Sequence, residues 1–257
     1  MGRIIITGSS DGLGMMAASL LINAGHQVVL HARNEQRAED ALKANPKAEA
    51  VLTADLSSIA ETIALAEKAN ATGRFDAVIH NAAVGYRESR KIITEDGLPH
   101  VFAINSLSPY ILTALIEKPK RLIYTSSGLH RDGDSSLSDL LWKHKTWNGF
   151  QAYADSKLHN VLLAFAVAAR WTGTAANALE PGWVATKMGG PGAPDSLADA
   201  PLTQAWLATS RDPQVLQSGG YYYHKQPREV HPDCIDQEIQ ERFIEKCAEI
   251  SGVKLPS

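Results

Sequence analysis

The sequence predicts an α/β protein: a doubly wound parallel sheet of about seven strands, formed by a single domain over residues 1–257. Short apolar runs alternate with longer helical segments along the chain, which is typical of parallel strands joined by crossover helices. A glycine-rich turn directly follows the first apolar run, and no internal repeat or long biased linker divides the chain. The carboxyl ends of such strands share one edge of the sheet, where ligand sites are expected.

The elements are predicted from short apolar runs and from helical periodicity between them. The predicted strands cover residues 4–7, 28–32, 50–54, 77–80, 121–125, 175–179 and 220–223. The predicted helices cover residues 15–23, 34–44, 59–69, 101–115 and 154–171, and Gly25 ends the first of them. In the tail, Ile235, Ile239, Phe243 and Cys247 recur at four-residue spacing, which predicts a helix packed on the domain over residues 235–250. Loops are predicted between residues 125 and 153 and between 181 and 204.

Composition and charge exclude several classes of protein. Of the 257 residues, 44% are hydrophobic and 21% are charged, and 25 Lys and Arg against 28 Asp and Glu leave a formal charge of −3. This charge offers no chain-wide attraction for nucleic acid or an anionic membrane. Cys234 and Cys247 lack paired ligand spacing, so neither a disulfide framework nor a bound metal is expected. Gly8 ends the first apolar run too early for a signal peptide or a membrane span, and we expect a cytoplasmic protein.

The glycine-rich turn has the chemistry of a dinucleotide-binding loop. Glycine lets the chain turn sharply and brings bare backbone close to a phosphate at the amino end of a helix. The alternative is an ordinary tight turn between a strand and a helix. The spacing is not G-x-G-x-x-G, and no Gly-Lys-Ser/Thr follows, which argues against nucleotide hydrolysis. The loop residues expected to bind the cofactor are Gly8, Ser10, Gly12, Leu13 and Gly14.

The residues after the second and third strands predict which dinucleotide is bound. The second strand ends at Ala32 and Arg33, where an NAD-binding protein usually has an acid for the ribose 2′-hydroxyl. Arg33 could instead pair with a 2′-phosphate, so NADP(H) is preferred over NAD(H), which stays an alternative. Arg33 could also be a solvated loop cation. Asp55, beside Leu56, could accept a hydrogen bond from the adenine amino group or cap a helix.

Candidate catalytic residues also follow strands at the same edge. Tyr153 and Lys157 lie four residues apart, which puts a phenol and an ammonium group on one face of a helix. A neighbouring cation favours the phenolate and lowers the pKa of a tyrosine. Ser126 and Ser127 end the fifth strand, where a hydroxyl could bind a substrate oxygen, although serines are also common in turns.

Two asparagines are further candidates. Asn105 lies early in a predicted helix, where a network with water or side chains, or a kink at the helix end, would explain it. Asn81 follows the fourth strand and could close the cofactor cleft or satisfy local backbone groups.

Together these motifs resemble the short-chain dehydrogenase/reductase superfamily in its single-domain, Rossmann-like form, and the resemblance covers essentially the whole chain. The glycine loop resembles the family's cofactor loop, and Asn105, Ser127, Tyr153 and Lys157 fall where the family places its catalytic tetrad. The interval from Ser127 to Tyr153 is roughly double the usual one, as in retinol dehydrogenase and carbonyl reductase-like members. The other matching motifs are Asp55-Leu56, an altered Asn81-Ala82-Ala83, and Pro181-Gly182-Trp183-Val184-x-Thr186 beside the nicotinamide.

The resemblance implies hydride transfer between the nicotinamide and a substrate carbonyl or carbinol carbon. It implies that Tyr153 exchanges the proton, Ser127 holds the substrate oxygen, and Lys157 binds the nicotinamide ribose and lowers the pKa of Tyr153. Asn105 would fix a water in the proton relay. Family members are often dimers or tetramers, so a homodimer or homotetramer is expected.

The predicted function is an NADP-preferring alcohol dehydrogenase or carbonyl reductase of small to medium, moderately apolar substrates. Four aromatic residues could line the substrate pocket or serve packing: Trp142, Trp147, Phe150 and Trp183. One alternative is a non-enzymatic regulator that senses redox state through NADP(H) binding, against which the intact tetrad argues. Another is a nucleotide-sugar epimerase, which can share the spacing of Tyr153 and Lys157 but usually has a different glycine spacing, and whose C-terminal substrate domain is expected to need a longer chain.

Overall fold

A computed structural model describes all residues, 1–257, and contains one eight-stranded sheet. The strand order is β3-β2-β1-β4-β5-β6-β7-β8, with β1 to β7 parallel and β8 antiparallel to β7. The strands are β1 (Arg3–Ile6), β2 (Gln27–Ala32), β3 (Ala50–Thr53), β4 (Ala77–His80), β5 (Arg121–Thr125), β6 (Ala175–Glu180), β7 (Tyr221–Tyr223) and β8 (Gln226–Pro227). The predicted fold class is confirmed, with one strand more than expected.

Helices cover both faces of this sheet. The longer ones are α1 (Gly12–Asn23), α2 (Glu35–Ala44), α3 (Ile59–Ala71), α5 (Ser108–Leu115), α6 (Gly149–Arg170), α7 (Leu202–Thr209) and α9 (Gln237–Ser251). Two are short, α4 (His100–Phe102) and α8 (Pro213–Leu216), and a π-helical turn, Ala103–Leu107, joins α4 to α5. The sequence did not predict α7, α8 or β8, because α7 begins inside a Gly/Pro-rich stretch and the other two are very short. No helix has the length and apolar character needed to cross a bilayer.

The core lies on both sides of the sheet because successive side chains of a strand point to opposite faces. In β1, Ile5 packs into a cluster of 36 buried residues that includes side chains of α3, α5, α6 and α9. Its neighbours Ile4 and Ile6 pack into a second cluster, of 16 residues, with α1 and α7. The order of the strands reverses between β1 and β4, so a crevice opens at the carboxyl ends of these two strands.

The C-terminal tail packs on α6, as its apolar spacing predicts. Phe243 and Cys247 of α9 are fully buried, and Gly252 ends the helix with a φ of +72°. Ile235 was expected to extend the same buried stripe, but it precedes α9 in a short 3₁₀ turn and is 66% exposed. The helix therefore begins two residues later than predicted, after the Asp236 cap, whose carboxylate accepts from two backbone N–H groups.

Candidate active site

The glycine loop brings bare backbone to the amino end of α1. Gly8 and Gly12 have φ angles of +63° and +55°, which favour glycine. A Cβ atom on Gly14 would lie 2.5 Å from the Gly8 carbonyl oxygen and closer still to the Asn81 amide nitrogen. One on Gly8 would lie 2.8 Å from Cα of Ala82. Glycine is thus required here by backbone angle and by close packing.

Side chains of neighbouring strands hold this loop in place. The Thr7 hydroxyl accepts hydrogen bonds from the backbone N–H groups of Asn81 (3.0 Å) and Ala82 (3.1 Å). The Asn81 amide in turn donates to the Thr7 carbonyl oxygen at 3.0 Å. These bonds tie the end of β1 to the end of β4, on the two sides of the crevice. The bonds of Asn81 satisfy local backbone, and its side chain also lines the crevice.

His31 is a further support of the loop, which the sequence analysis missed. Its ring is buried, Nδ1 accepts from the Gly8 N–H at 2.9 Å, and Nε2 donates to the Ala54 carbonyl oxygen at 3.1 Å. Burial lowers the pKa of His31 to about 4, so the ring is neutral near neutral pH and can accept the Gly8 bond. The end of β2 thereby fixes both the glycine loop and the end of β3.

The crevice is a cavity of about 660 Å³, and we refer to it as the cofactor cavity. Most residues predicted to bind the dinucleotide line it: Gly8, Ser10, Gly12, Leu13, Arg33, Asp55, Leu56, Asn81, Ala82, Tyr153, Lys157, Pro181 and Thr186. Gly14 lies outside its lining and acts through packing, while Gly182 and Val184 line a neighbouring cavity. Bare backbone at a helix amino end, beside an arginine, fits the phosphates of a dinucleotide.

Charged residues at the mouth of this cavity include two that the sequence analysis did not single out. Arg37 donates from Nη2 to Asp11 Oδ2 at 3.2 Å, and Lys187 pairs with the same carboxylate. The contact with Lys187 holds the pKa of Asp11 at about 2. Arg33 lines the cavity and is exposed. The Asp55 carboxylate accepts from the Ser57 N–H at 2.9 Å, while Ser58 caps α3.

Tyr153 and Lys157 lie in the first half of α6, and both line the cofactor cavity. Their side chains share one helical face as predicted, with Lys157 Nζ 5.4 Å from the centre of the Tyr153 ring. Nζ also donates to the Thr125 carbonyl oxygen at 3.0 Å, which anchors the lysine to the end of β5. The tyrosine and the lysine are 7% and 2% exposed.

Burial changes the expected electrostatics of this pair. Loss of hydration raises the pKa of Tyr153 to about 12, while the neighbouring Ser127 hydroxyl opposes this rise. Burial also lowers the pKa of Lys157 to about 7, which weakens the cation that was expected to favour the phenolate. The expected lowering of the Tyr153 pKa by Lys157 is therefore not met here, because desolvation of the phenolate dominates.

The two serines after β5 have different environments. The Ser126 hydroxyl donates to the Lys157 carbonyl oxygen at 2.8 Å, so it joins β5 to α6. Ser127 begins a 3₁₀ turn, lies beside the Tyr153 phenol and lines the second cavity with it. His130 donates from Nδ1 to the Ser127 carbonyl oxygen at 2.7 Å and accepts from the His231 N–H at 3.2 Å. Burial lowers the pKa of His130 to about 4.

Asn105 lies outside both cavities. It is fully buried in the π-helical turn, where its side chain accepts from the Val84 N–H at 2.8 Å and donates to the Val84 carbonyl oxygen and the Ser156 hydroxyl, both at 3.0 Å. The Asn160 amide donates to the Asn105 carbonyl oxygen at 3.0 Å. A side-chain network, one of the explanations considered for this asparagine, therefore accounts for its place in the helix.

The second cavity, of about 850 Å³, meets the cofactor cavity at Tyr153 and is referred to as the substrate cavity. Phe150 and Trp183 line it as expected, and so does Tyr86, whose ring packs edge-on against Tyr153 at 5.6 Å. Trp142 and Trp147 do not line it. They pack against each other at 5.1 Å in a small separate cluster, because the long segment before α6 folds back onto α4.

Charged residues that the sequence analysis missed lie among the lining of the substrate cavity: Arg131, Glu180, Asp195 and Arg228. Glu180 ends β6, and its Oε1 lies 3.8 Å from Nη1 of Arg131. Burial raises the pKa of Glu180, while Arg131 and Arg228 oppose the rise. These residues come from distant parts of the chain, and no local sequence signal brings them together.

Comparison with known proteins identifies related chains. A family model described as short chain dehydrogenase matches residues 3–128. The short-chain dehydrogenase chyC of Penicillium rubens is 45% identical, with all of both chains covered. Retinol dehydrogenase 13 of Mus musculus is 29% identical, over 98% of this chain and 84% of the relative. A crystal structure of a Mycobacterium paratuberculosis protein has a TM-score of 0.84 at 22% identity, covering 100% of this chain and 96% of the other.

Proposed function

The chain belongs to the short-chain dehydrogenase/reductase superfamily and is an NAD(P)-dependent oxidoreductase, and we propose that it interconverts an alcohol and a carbonyl with a preference for NADP(H). The observation that carries the proposal is the position of Tyr153. It lines both cavities, so its phenol can reach a reacting oxygen in one while the dinucleotide lies in the other. When bound, the reduced cofactor would supply a hydride from its nicotinamide to a carbonyl carbon, and the oxidised cofactor would accept one from a carbinol carbon.

Tyr153 exchanges the proton of the substrate oxygen, acting as the general acid or base. Ser127 binds the same oxygen, since its hydroxyl lies beside the phenol in the substrate cavity. Lys157 binds the nicotinamide ribose and faces the tyrosine ring from within the cofactor cavity. Asn105 acts as a positioning residue that ties the Val84 segment to the helix bearing Tyr153, through the Ser156 hydroxyl.

The preference for NADP(H) rests on Arg33. This guanidinium lines the cofactor cavity at the end of β2, where no acidic side chain is present to receive a ribose 2′-hydroxyl. An arginine binds a phosphate with two parallel hydrogen bonds, which a hydroxyl cannot match. Arg37 lies at the same mouth and adds positive charge, although it is partly engaged by Asp11.

Fluorescence titrations with NADPH and NADH test the cofactor preference without knowledge of the substrate. We expect tighter binding of NADPH, and we expect Arg33→Ala to remove most of the difference. Arg211→Ala is the matched control, since Arg211 is exposed and lies outside both cavities. Equal affinities in the unaltered protein would contradict the role of Arg33.

Reduction of a panel of aldehydes and ketones with NADPH tests the reaction. Turnover that is lost on Tyr153→Phe supports the proposal. Tight NADPH binding without turnover of any carbonyl or alcohol would instead favour a redox-sensing regulator. Assembly as a homodimer or homotetramer and a cytoplasmic location stay predictions, as do the moderately apolar character of the small-molecule substrate and the absence of a nucleic-acid partner.

A further inference from the structure

The substrate cavity contains a carboxylate without a hydrogen-bond donor. The Glu180 side chain is 15% exposed, and its nearest cationic partner, Nη1 of Arg131, is 3.8 Å away, beyond hydrogen-bond distance. Arg131 is committed elsewhere, since its Nη2 donates to the Glu229 carbonyl oxygen at 2.6 Å. The side chain lines the cavity and its oxygens are accessible from it, so a donor group brought by a ligand can bond to them.

The backbone next to Ser127 is shaped to accommodate this carboxylate. A Cβ atom on Gly128 would lie 2.5 Å from Glu180 Oε2, so the carboxylate lies directly against the residue that follows Ser127. Gly128 has no positive φ, so close approach is what favours glycine there. Glu180 is therefore held beside the part of the substrate cavity where the reacting oxygen is proposed to bind.

The rest of the lining indicates the shape of the bound molecule. Tyr86, Phe150 and Trp183 provide aromatic surface, with Phe150 and Trp183 46% and 56% exposed. The Arg228 guanidinium also lines the cavity and makes no ion pair or hydrogen bond through its side chain. Its ring contact is with Tyr223, at 5.4 Å. A group that combines a donor and an acceptor would complement Glu180 and Arg228 together.

We propose that Glu180 determines substrate specificity by accepting a hydrogen bond from an N–H or O–H group of the substrate, and that the substrate is an aromatic carbonyl or carbinol bearing a carboxamide-like group. The carboxamide N–H faces Glu180 and its oxygen faces Arg228, while the ring lies against the aromatic lining. This inference rests on the proposed alcohol–carbonyl reaction and adds the class of substrate.

Matched ketone probes test this inference. The positional isomers of acetylbenzamide carry a carboxamide, and the corresponding methyl acetylbenzoates have the same ring and ketone without an N–H donor. For the best isomer, we expect kcat/KM with NADPH to favour the amide by about tenfold or more, which corresponds to about 1.4 kcal/mol. The preference is a ratio measured within each enzyme, so a general loss of activity does not affect it.

Two variants of the site and one control complete the test. Glu180→Leu removes the acceptor, and Gly128→Ala displaces the carboxylate without removing its charge. Both are expected to reduce the amide preference to about onefold to threefold, since most of one charged hydrogen bond is lost. Glu229→Gln, an exposed acid next to Arg228 and outside the cavity, should keep the preference.

Binding without turnover separates this inference from the proposed reaction. In the Tyr153→Phe background with NADPH present, calorimetry gives the affinity of each probe directly. If the amide binds more tightly than the ester, and Glu180→Leu abolishes this difference, the inference is supported. Failure of the unaltered enzyme to reduce any probe would count against the proposed reaction alone. Equal binding and turnover of amide and ester, or a preference for acetylbenzoate anions on the arginines, would overturn the inference.

Discussion

The cofactor cavity and the substrate cavity share one tyrosine but are built in different ways. The cofactor cavity is shaped by backbone: three glycines, a helix amino end, and backbone N–H groups that donate hydrogen bonds to the side chains of Thr7 and His31. The substrate cavity is shaped by side chains of loops, with an aromatic lining and a charged end around Glu180. Backbone geometry suits a cofactor used by a whole superfamily, whereas loop side chains can differ between enzymes with different substrates.

Each cavity has a buried histidine that holds part of its backbone in place. His31 supports the glycine loop through the Gly8 N–H, and His130 supports Ser127 through its carbonyl oxygen. Both rings are held neutral by burial, with pKa values lowered to about 4. The same residue type thus positions backbone in each cavity, and the two can be altered separately.

The largest effect is expected at Tyr153, the one tyrosine that lines both cavities. Tyr153→Phe removes the proton donor and should lower kcat by about 10²-fold to 10⁴-fold, the usual contribution of a general acid. NADPH affinity should stay within about threefold, because the ring still packs against Tyr86. Steady-state kinetics and fluorescence titration measure the two effects. Tyr222→Phe, whose hydroxyl bonds only to the Gln214 carbonyl oxygen, is the control.

A change of backbone packing should affect the cofactor cavity alone. Gly14→Ala would drive a methyl group into Asn81 and the Gly8 carbonyl, which costs about 1–3 kcal/mol of stability and displaces the loop. We expect NADPH affinity to fall by about tenfold or more and Tm to decrease. Gly192→Ala is the control, since nothing lies within 4 Å of a Cβ atom there. An unchanged NADPH affinity would show that the loop does not hold the phosphates.

The two histidines should separate binding from catalysis. His31→Ala leaves the Gly8 N–H without its partner, at a cost of about 1–3 kcal/mol, and should weaken NADPH binding several-fold. His130→Ala should lower kcat/KM for a carbonyl substrate while NADPH affinity is retained. Asparagine at either position can replace the Nδ1 bond and should restore part of the loss. If both alanine variants changed NADPH affinity and kcat/KM in the same way, the two cavities would not be supported independently of each other.

The smallest expected effect is on the pH dependence of stability, to which both histidines contribute. The folded protein holds His31 and His130 at pKa values of about 4, below the value of 6.5 for an unperturbed histidine. The unfolded chain therefore binds more protons between these values, so stability is full above about pH 6.5 and is lost as the pH falls toward 4. Thermal melts across this range should show Tm falling. His31→Asn should make Tm depend less steeply on pH. If the dependence of Tm on pH is unchanged in this variant, groups other than His31 cause it.

Much of the fold could be predicted because strands and helices have local signals. The seven parallel strands follow from apolar runs, and Gly8 and Gly12 mark a loop whose φ angles only glycine adopts easily. The short strand Gln226–Pro227 has no such signal, since two residues show no periodicity. Helix α7 was hidden by the Gly/Pro-rich segment before it. Trp142 and Trp147 illustrate a second limit, because an aromatic in a long loop packs or lines a cavity according to how the loop folds.

The sequence by itself determined the strand segments, the glycine loop and the placing of Tyr153 and Lys157 on one helical face, because each depends on residues within a few positions of one another. Only the tertiary structure decided that Tyr153 is shared by two cavities and that burial raises its pKa. It alone brought Arg131, Glu180 and Arg228 to one end of the substrate cavity. Their meeting depends on β6, β8 and the turn after Ser127 being packed together, and desolvation depends on everything that surrounds a group in space.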